Sequence, residues 1–217
     1  MNRITTFYTS SVGRKLVMAL TGFFLCSFLV VHLYINLFLF GSDAGGTFDT
    51  YSEFMATYPL IRPLEILLFL GFLIHMVFGV WLWLSNRVAR PQRYIGGGSP
   101  KTSTLSSRVM FWTGVVVLIF LVIHINSFFI RSRFIDHSTP MYRIVSEAFT
   151  NPWNDAFYVI ALVFLGYHLL HGFQSAFQTF GIKTRRYEIL ITIVGIVFWL
   201  LIPACFAAMP LYFLWAH

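Results

Sequence analysis

Charged residues fall in short clusters along this chain, and long stretches between them carry none. The charge-free stretches cover 16–42, 66–86, 109–130, 156–182 and 189–217, with lengths of 27, 21, 22, 27 and 29 residues. A helix that crosses a bilayer needs about 20 mostly apolar residues, and all five stretches qualify. Lipid offers the backbone no hydrogen-bond partner, so a spanning segment must close its bonds within itself. The pattern predicts an all-α integral membrane bundle of five transmembrane helices, the fifth ending near residue 214, in a single domain over 1–217. The first stretch is too long for a cleaved signal peptide, and four more spans follow it.

The connecting segments differ in character. Residues 43–65 and 131–155 mix aromatic and polar side chains and are expected to hold short surface helices. The stretch "RVARPQRYIGGGSPKTSTLSSR" at 87–108 is rich in Gly, Ser and Pro and reads as irregular. No internal repeat or low-complexity tract is apparent.

Composition supports the membrane reading. The chain is 58% hydrophobic and 11% charged, against about a quarter charged in soluble domains. The net charge of +7 reads as topology rather than nucleic-acid binding. Eleven basic residues flank one side of the spans: Arg3, Arg14 and Lys15, then Arg87, Arg90, Arg93, Lys101 and Arg108, then Lys183, Arg185 and Arg186. Four lie on the other side: Arg62, Arg131, Arg133 and Arg143. Basic loops stay in the cytoplasm, which puts the N-terminus there and the C-terminus outside. Seven of the eight acidic residues lie on the outer side, with only Glu188 inside. Cys26 and Cys205 both lie inside spans, and two cysteines so placed suggest neither a disulfide framework nor a zinc site.

Five of the seven histidines sit within spans: His32 in the first, His75 in the second, His124 in the third, and His168 with His171 in the fourth. His137 lies in an outer loop and His217 is the last residue. Ionisable residues inside a membrane are costly and suggest function by default. One such histidine is easily explained by packing; four consecutive spans each carrying one are not. A proton relay would recruit acids too, and none lies inside these stretches. Neutral imidazole is a common haem ligand. Histidines on facing helices can hold one haem iron from both sides, and four helices have room for two haems. A bundle with 25 Phe would suit large apolar macrocycles.

Depth offers a pairing. At 1.5 Å per residue, His32 and His124 lie roughly 26 and 24 Å from the inner edge. His75 and His171 each lie roughly 18 Å from it, and His168 about 22 Å. One pair is therefore outer, and the other is inner. Gly79 follows His75 by four residues and Gly172 follows His168 by four. That spacing shares a helix face, where glycine leaves room for a flat ring or for close helix packing.

Longer motifs accompany these histidines: "SSVGRKLVMALTGFFL" at 10–25, "VVHLYIN" at 30–36, "LIHMVFG" at 73–79, "LVIHI" at 121–125 and "YHLLHGFQSAFQTFG" at 167–181. Together they resemble the dihaem cytochrome b membrane anchor of succinate dehydrogenases and fumarate reductases, in its single-subunit, five-helix form. The resemblance implies that His32 and His124 ligate an outer haem and that His75 and His168 ligate an inner one. His171 is the alternative to His168: depth favours it, whereas the family's Gly four residues after the ligand favours His168. Gly79, Gly172, His171, Arg14, Lys15, Arg87 and Lys183 would surround the haems. One branch of the family has a membrane-embedded Glu two residues before the fourth-helix ligand; here that position is Gly166.

The resemblance further implies two bis-histidine b-type haems and a membrane quinone, expected to be menaquinone. Partners would be an iron–sulfur subunit and a flavoprotein on the cytoplasmic side, and a dimer of the complex is allowed. The setting would be the bilayer of a bacterial cytoplasmic membrane. This chain has no nucleotide-binding fingerprint and no cysteine cluster, so the dicarboxylate chemistry would belong to its partners. Tyr51 and Glu53 are candidates for a quinone site, with His137 behind them. The readings set aside are a dihaem anchor for a hydrogenase or formate dehydrogenase, a haem-free transporter or channel, and a purely structural anchor.

Overall fold

The structure is a computed structural model, and it describes residues 10–88 and 105–216. Arg3, Arg90, Arg93, Lys101 and His217, together with most of the 87–108 segment, lie outside the described residues. Among the described residues every regular element is helical. Five helices are long and apolar enough to cross a membrane: Ser11–Phe40, Ile61–Val88, Val109–Ile135, Pro152–Thr179 and Glu188–Trp215.

Most of these run past the charge-free stretches by a turn or so, because charged side chains near the ends stay helical. Long basic side chains lay their stems along apolar surface while their heads reach water. The first span begins as α1 (Ser11–Asn36) and tightens into a 3₁₀ turn at Leu37–Phe40. Ser10 caps it, its hydroxyl accepting from the Gly13 amide at 3.0 Å. The expected surface helices are present as α2 (Gly46–Thr57) and α5 (Met141–Ala148). The second span is α3 (Ile61–Val88). The third is α4 (Leu105–His124), continued by a π-helical segment at Ile125–Ile135.

The fourth span, α6 (Pro152–Thr179), has matched terminators. Asn151 caps its start, accepting from the Trp153 amide at 3.0 Å, with Pro152 at the first helical position. Gly181 ends it at φ +70, where the Ile182 amide reaches back to the Phe177 carbonyl at 3.1 Å. The fifth span is α7 (Glu188–Ile196), a π turn at Val197–Leu201 and α8 (Ile202–Ala216).

α6 is the central helix, packed against α1, α4, α7 and α8. α1 packs on α3 as α4 packs on α6. Apolar side chains on the outer faces, such as Leu67, Val77, Ile119 and Leu200, are exposed, which suits a surface bathed in lipid. α2 and α5 touch each other across one end of the bundle. Beneath them lies the larger buried cluster, built from Leu39, Phe48, Phe128, Ile144, Phe149 and Phe213 among others. This end is called the capped end below.

Candidate functional site

Four of the five span histidines meet in two pairs. His32 of α1 faces His124, the last residue of α4, with ring centres 5.9 Å apart and planes at 87°. His75 of α3 faces His168 of α6, with centres 6.3 Å apart and planes at 73°. The first pair lies beside the capped-end cluster, since His124 contacts Phe128 and Tyr158 of that cluster. All four rings are half-buried, so each keeps part of its surface uncovered by neighbouring side chains.

These separations suit one metal atom between each pair. A metal–nitrogen bond of about 2.0 Å, with a ring nitrogen roughly 1.2 Å from its ring centre, would set two imidazoles on either side of one metal about 6.4 Å apart. Among the described residues no group of three or more His, Cys, Asp or Glu converges on one point. A metal held by two protein ligands must bring its remaining ligands with it, which describes the iron of a haem.

Hydrogen bonds orient the His75–His168 pair. Thr21 Oγ1 lies 3.1 Å from Nδ1 of His75 and donates its one proton to the Val17 carbonyl at 2.8 Å. With that proton on a carbonyl, Oγ1 is free to accept from Nδ1–H, the tautomer that metal binding through Nε2 requires. The Nε2 lone pair is left for a metal. Thr113 repeats this at His168: Oγ1 lies 3.5 Å from Nδ1 and donates to the Met110 carbonyl at 2.8 Å. His171 differs, because its Nε2 is the atom engaged, by Ser175 Oγ at 3.1 Å. At the other pair, Tyr158 Oη lies 3.5 Å from Nδ1 of His124, and the Asn36 amide lies 3.4 Å from Nδ1 of His32.

An internal repeat underlies the two threonines, contrary to the expectation of none. Met18, Thr21, Gly22 and His32 recur as Met110, Thr113, Gly114 and His124, each 92 residues later. His75 and Gly79 recur as His168 and Gly172, 93 residues later. The contacts repeat as well. A Cβ at Gly22 would lie 3.5 Å from Cε1 of His75, and one at Gly114 would lie 3.3 Å from Cε1 of His168. Gly79 faces the Met18 methyl at 3.7 Å and Gly172 faces the Met110 methyl at 3.5 Å. The glycines against the rings thus come from the facing helix. A comparison of the chain with itself at an offset of 92 would have revealed them.

Aromatic rings wall the first pair. Phe28 stacks on His32 at 5.2 Å, Phe206 lies 5.5 Å from it, and Phe120 lies 5.4 Å from His124. Around the spans' other ends, Arg14 donates to Ser85 Oγ at 2.7 Å and lies over Trp81 at 5.1 Å. Its Nε is buried with no acceptor among the described residues. Arg87 is exposed over Trp83 at 5.1 Å, and Lys15 and Lys183 are exposed. Tyr51 stacks on Phe38 at 4.7 Å, and Glu53 is exposed beside it on α2.

Two features were not visible in the sequence pattern. Gly166 is buried against the π turn of the fifth span, where a Cβ would lie 2.7 Å from the Trp199 carbonyl oxygen. A larger residue cannot stand there without moving backbone. Asp155, in the first turn of α6, is 2% exposed, and neither carboxylate oxygen has a hydrogen-bond partner among the described residues. Two other capped-end acids are held by arginines. Glu65 pairs with Arg62 and Arg133 at 2.9 and 3.4 Å. Glu147 pairs with Arg131 and Arg143 at 2.7 and 2.9 Å, and those hydrogen bonds hold its carboxyl below the usual carboxylate range.

No curated protein and no solved structure matches the chain. The model of the succinate dehydrogenase/fumarate reductase transmembrane subunit family matches residues 84–203. The match takes in His124 and His168 and more than half of the 217 residues, so this chain belongs to that family of membrane-anchor subunits.

Proposed function

We propose that this chain is the five-helix, dihaem anchor of its complex and carries electrons between an iron–sulfur subunit and a membrane quinone. The observation that carries the proposal is the meeting of four histidines, from four spans, in two pairs 5.9 and 6.3 Å apart. His32 and His124 would hold one b-type haem, and His75 and His168 the other. His168 is favoured over His171 because its ring faces His75 and its engaged nitrogen is Nδ1. Haem, once bound, supplies one-electron redox chemistry within a frame that the protein orients.

The chain's own residues have distinct parts. Thr21 and Thr113 keep the inner imidazoles in the metal-binding tautomer. Phe28, Phe120 and Phe206 exclude water beside the outer pair. The unsatisfied Nε of Arg14 offers a donor to a carboxylate such as a haem propionate. Gly79, Gly172 and His171 would line the inner haem, with Lys15, Arg87 and Lys183 at its water-facing side.

The basic-residue bias puts the capped end outside and the N-terminus in the cytoplasm of a bacterium, with all five spans in one domain. The iron–sulfur and flavoprotein subunits would then dock on the cytoplasmic face. Tyr51 and Glu53 would serve a quinone, menaquinone in this reading, at the capped end. The test is single replacement of His32, His75, His124 and His168 by Ala in the assembled complex. Each replacement is expected to remove one of two haems or make it high-spin; retention of both low-spin haems in any of the four refutes that ligand.

A further inference from the structure

Asp155 is the only buried acid among the described residues. Its two carboxylate oxygens receive no hydrogen bond from the chain. An isolated ionised carboxylate in an apolar setting is costly. That cost makes this carboxylate hard to explain as packing. It lies three residues before Tyr158, so the two share a face of α6. Tyr158 is itself buried, and its Oη lies 3.5 Å from Nδ1 of His124. Asp155, in the first turn of α6, and Tyr158, one turn further on, thus stand in order toward the outer histidine pair, and Tyr158 does so within an otherwise apolar cluster. The positive end of the α6 dipole allows a carboxylate to exist there.

Most other ionisable groups at this end are committed elsewhere, and Glu53 and His137 are the exceptions. Glu147 on α5 is held by Arg131 and Arg143, and Glu65 on α3 by Arg62 and Arg133. Asp49 on α2 accepts from the Tyr142 amide. Asp43 is bonded to Thr47, and Asp136 to Ser138 and Thr139. Glu53 is exposed on α2, and His137 is exposed in the loop after the third span. Tyr142 of α5 and Tyr212 of α8 make ring contacts with Phe213. Among the described residues no charged side chain acts on Asp155 itself.

We propose that Asp155 is a proton-binding site linked to the redox state of the centre held by His32 and His124. The inference rests on the haem reading above. One electron added to that centre places a negative charge in a low-dielectric region, where charges interact strongly. The carboxylate of Asp155 then takes one proton from hydronium of the bulk solvent outside the capped end, forming an O–H bond and leaving water, and returns that proton to the solvent on reoxidation. Charge balances: one electron and one proton enter together and leave together. Linkage is reciprocal, so the proton favours the electron as much as the electron favours the proton.

The test is potentiometric titration of the purified complex across a range of pH, with wild type beside Asp155→Asn. In wild type one haem potential should fall as pH rises, by at most about 59 mV per pH unit, the one-electron equivalent of a tenfold change in proton activity. Asp155→Asn should flatten that slope and leave the other haem's slope unchanged. Equal slopes in wild type and variant, with both haems present, overturn the role of Asp155 alone. A complex without haem overturns both this proposal and the reading beneath it. Should Asp155→Asn not assemble, the redox-difference infrared spectrum of wild type decides: reduction must raise a carboxylic C=O band that shifts in heavy water, and its absence overturns the proposal.

Discussion

Thr21 Oγ1 sits 3.1 Å from Nδ1 of His75 with its only proton already given to the Val17 carbonyl. The hydroxyl is then free to accept from the ring, in the tautomer that leaves Nε2 for a metal. Thr113 stands in the same relation to His168, 92 residues further on. Replacing Thr21 or Thr113 by Val keeps the shape and removes the acceptor. Partners of this kind typically contribute 10–100-fold to metal affinity. Each Val variant should lose haem from the inner pair on that scale, and Ser should restore it. Haem retention during dilution, followed by absorbance, measures this.

His171 supplies a direct contrast. Its engaged atom is Nε2, bonded to Ser175, and its ring makes no stacking contact with His75. His171→Ala should retain two low-spin haems, whereas His168→Ala should retain one. Low-temperature electron paramagnetic resonance of the oxidised complex would count the low-spin signals.

Gly166 bears on stability rather than on redox chemistry. An added Cβ would meet the Trp199 carbonyl oxygen at 2.7 Å, and backbone is poorly able to yield. Overpacking of this sort costs about 1–3 kcal/mol. Gly166→Ala should lower the thermal midpoint of the purified complex, and Gly166→Glu should lower it further. The close approach leaves no room for an acidic side chain at this position.

Glu147 gives the capped end a pH dependence. Its hydrogen bonds from Arg131 and Arg143 lower its carboxyl from the usual value of about 4.3. A lowered folded value means the stabilisation is complete above that usual value and is lost as pH falls through the lowered one. Acidification in that range should lower the amide protection factors across 131–148, and Glu147→Gln should reduce that response, leaving the share of Asp136, which is bonded to Ser138 and Thr139. The pair is exposed, so added salt should weaken the effect.

The spans were legible because charge is excluded from the interior of a bilayer, and five charge-free stretches mark five helices. Their ends were less legible. Arg14, Glu65 and Asp155 all lie within helices although they interrupt the apolar runs. Depth along the helix axis gave the His32–His124 pair, since rise per residue is fixed. It left His168 and His171 undecided, because three residues move a side chain only about 4.5 Å along the axis and 60° around it. The burial of Asp155 could not be read from its position: an acid at a span boundary looks solvated until the fold encloses it. The glycines against the imidazoles were also missed, because each belongs to the facing helix and not to the helix that carries the ring. Likewise, nothing in the apolar run 189–217 announces the π turn that brings the Trp199 carbonyl onto Gly166.

The central claim is that two imidazole pairs each grip one haem. It is tested most directly by a reduced-minus-oxidised absorbance spectrum of the gently solubilised complex, with haem and protein quantified in the same sample. The account predicts b-type α bands and two haems per copy of this chain. A colourless preparation, or one haem per chain in the intact wild-type complex, would contradict it.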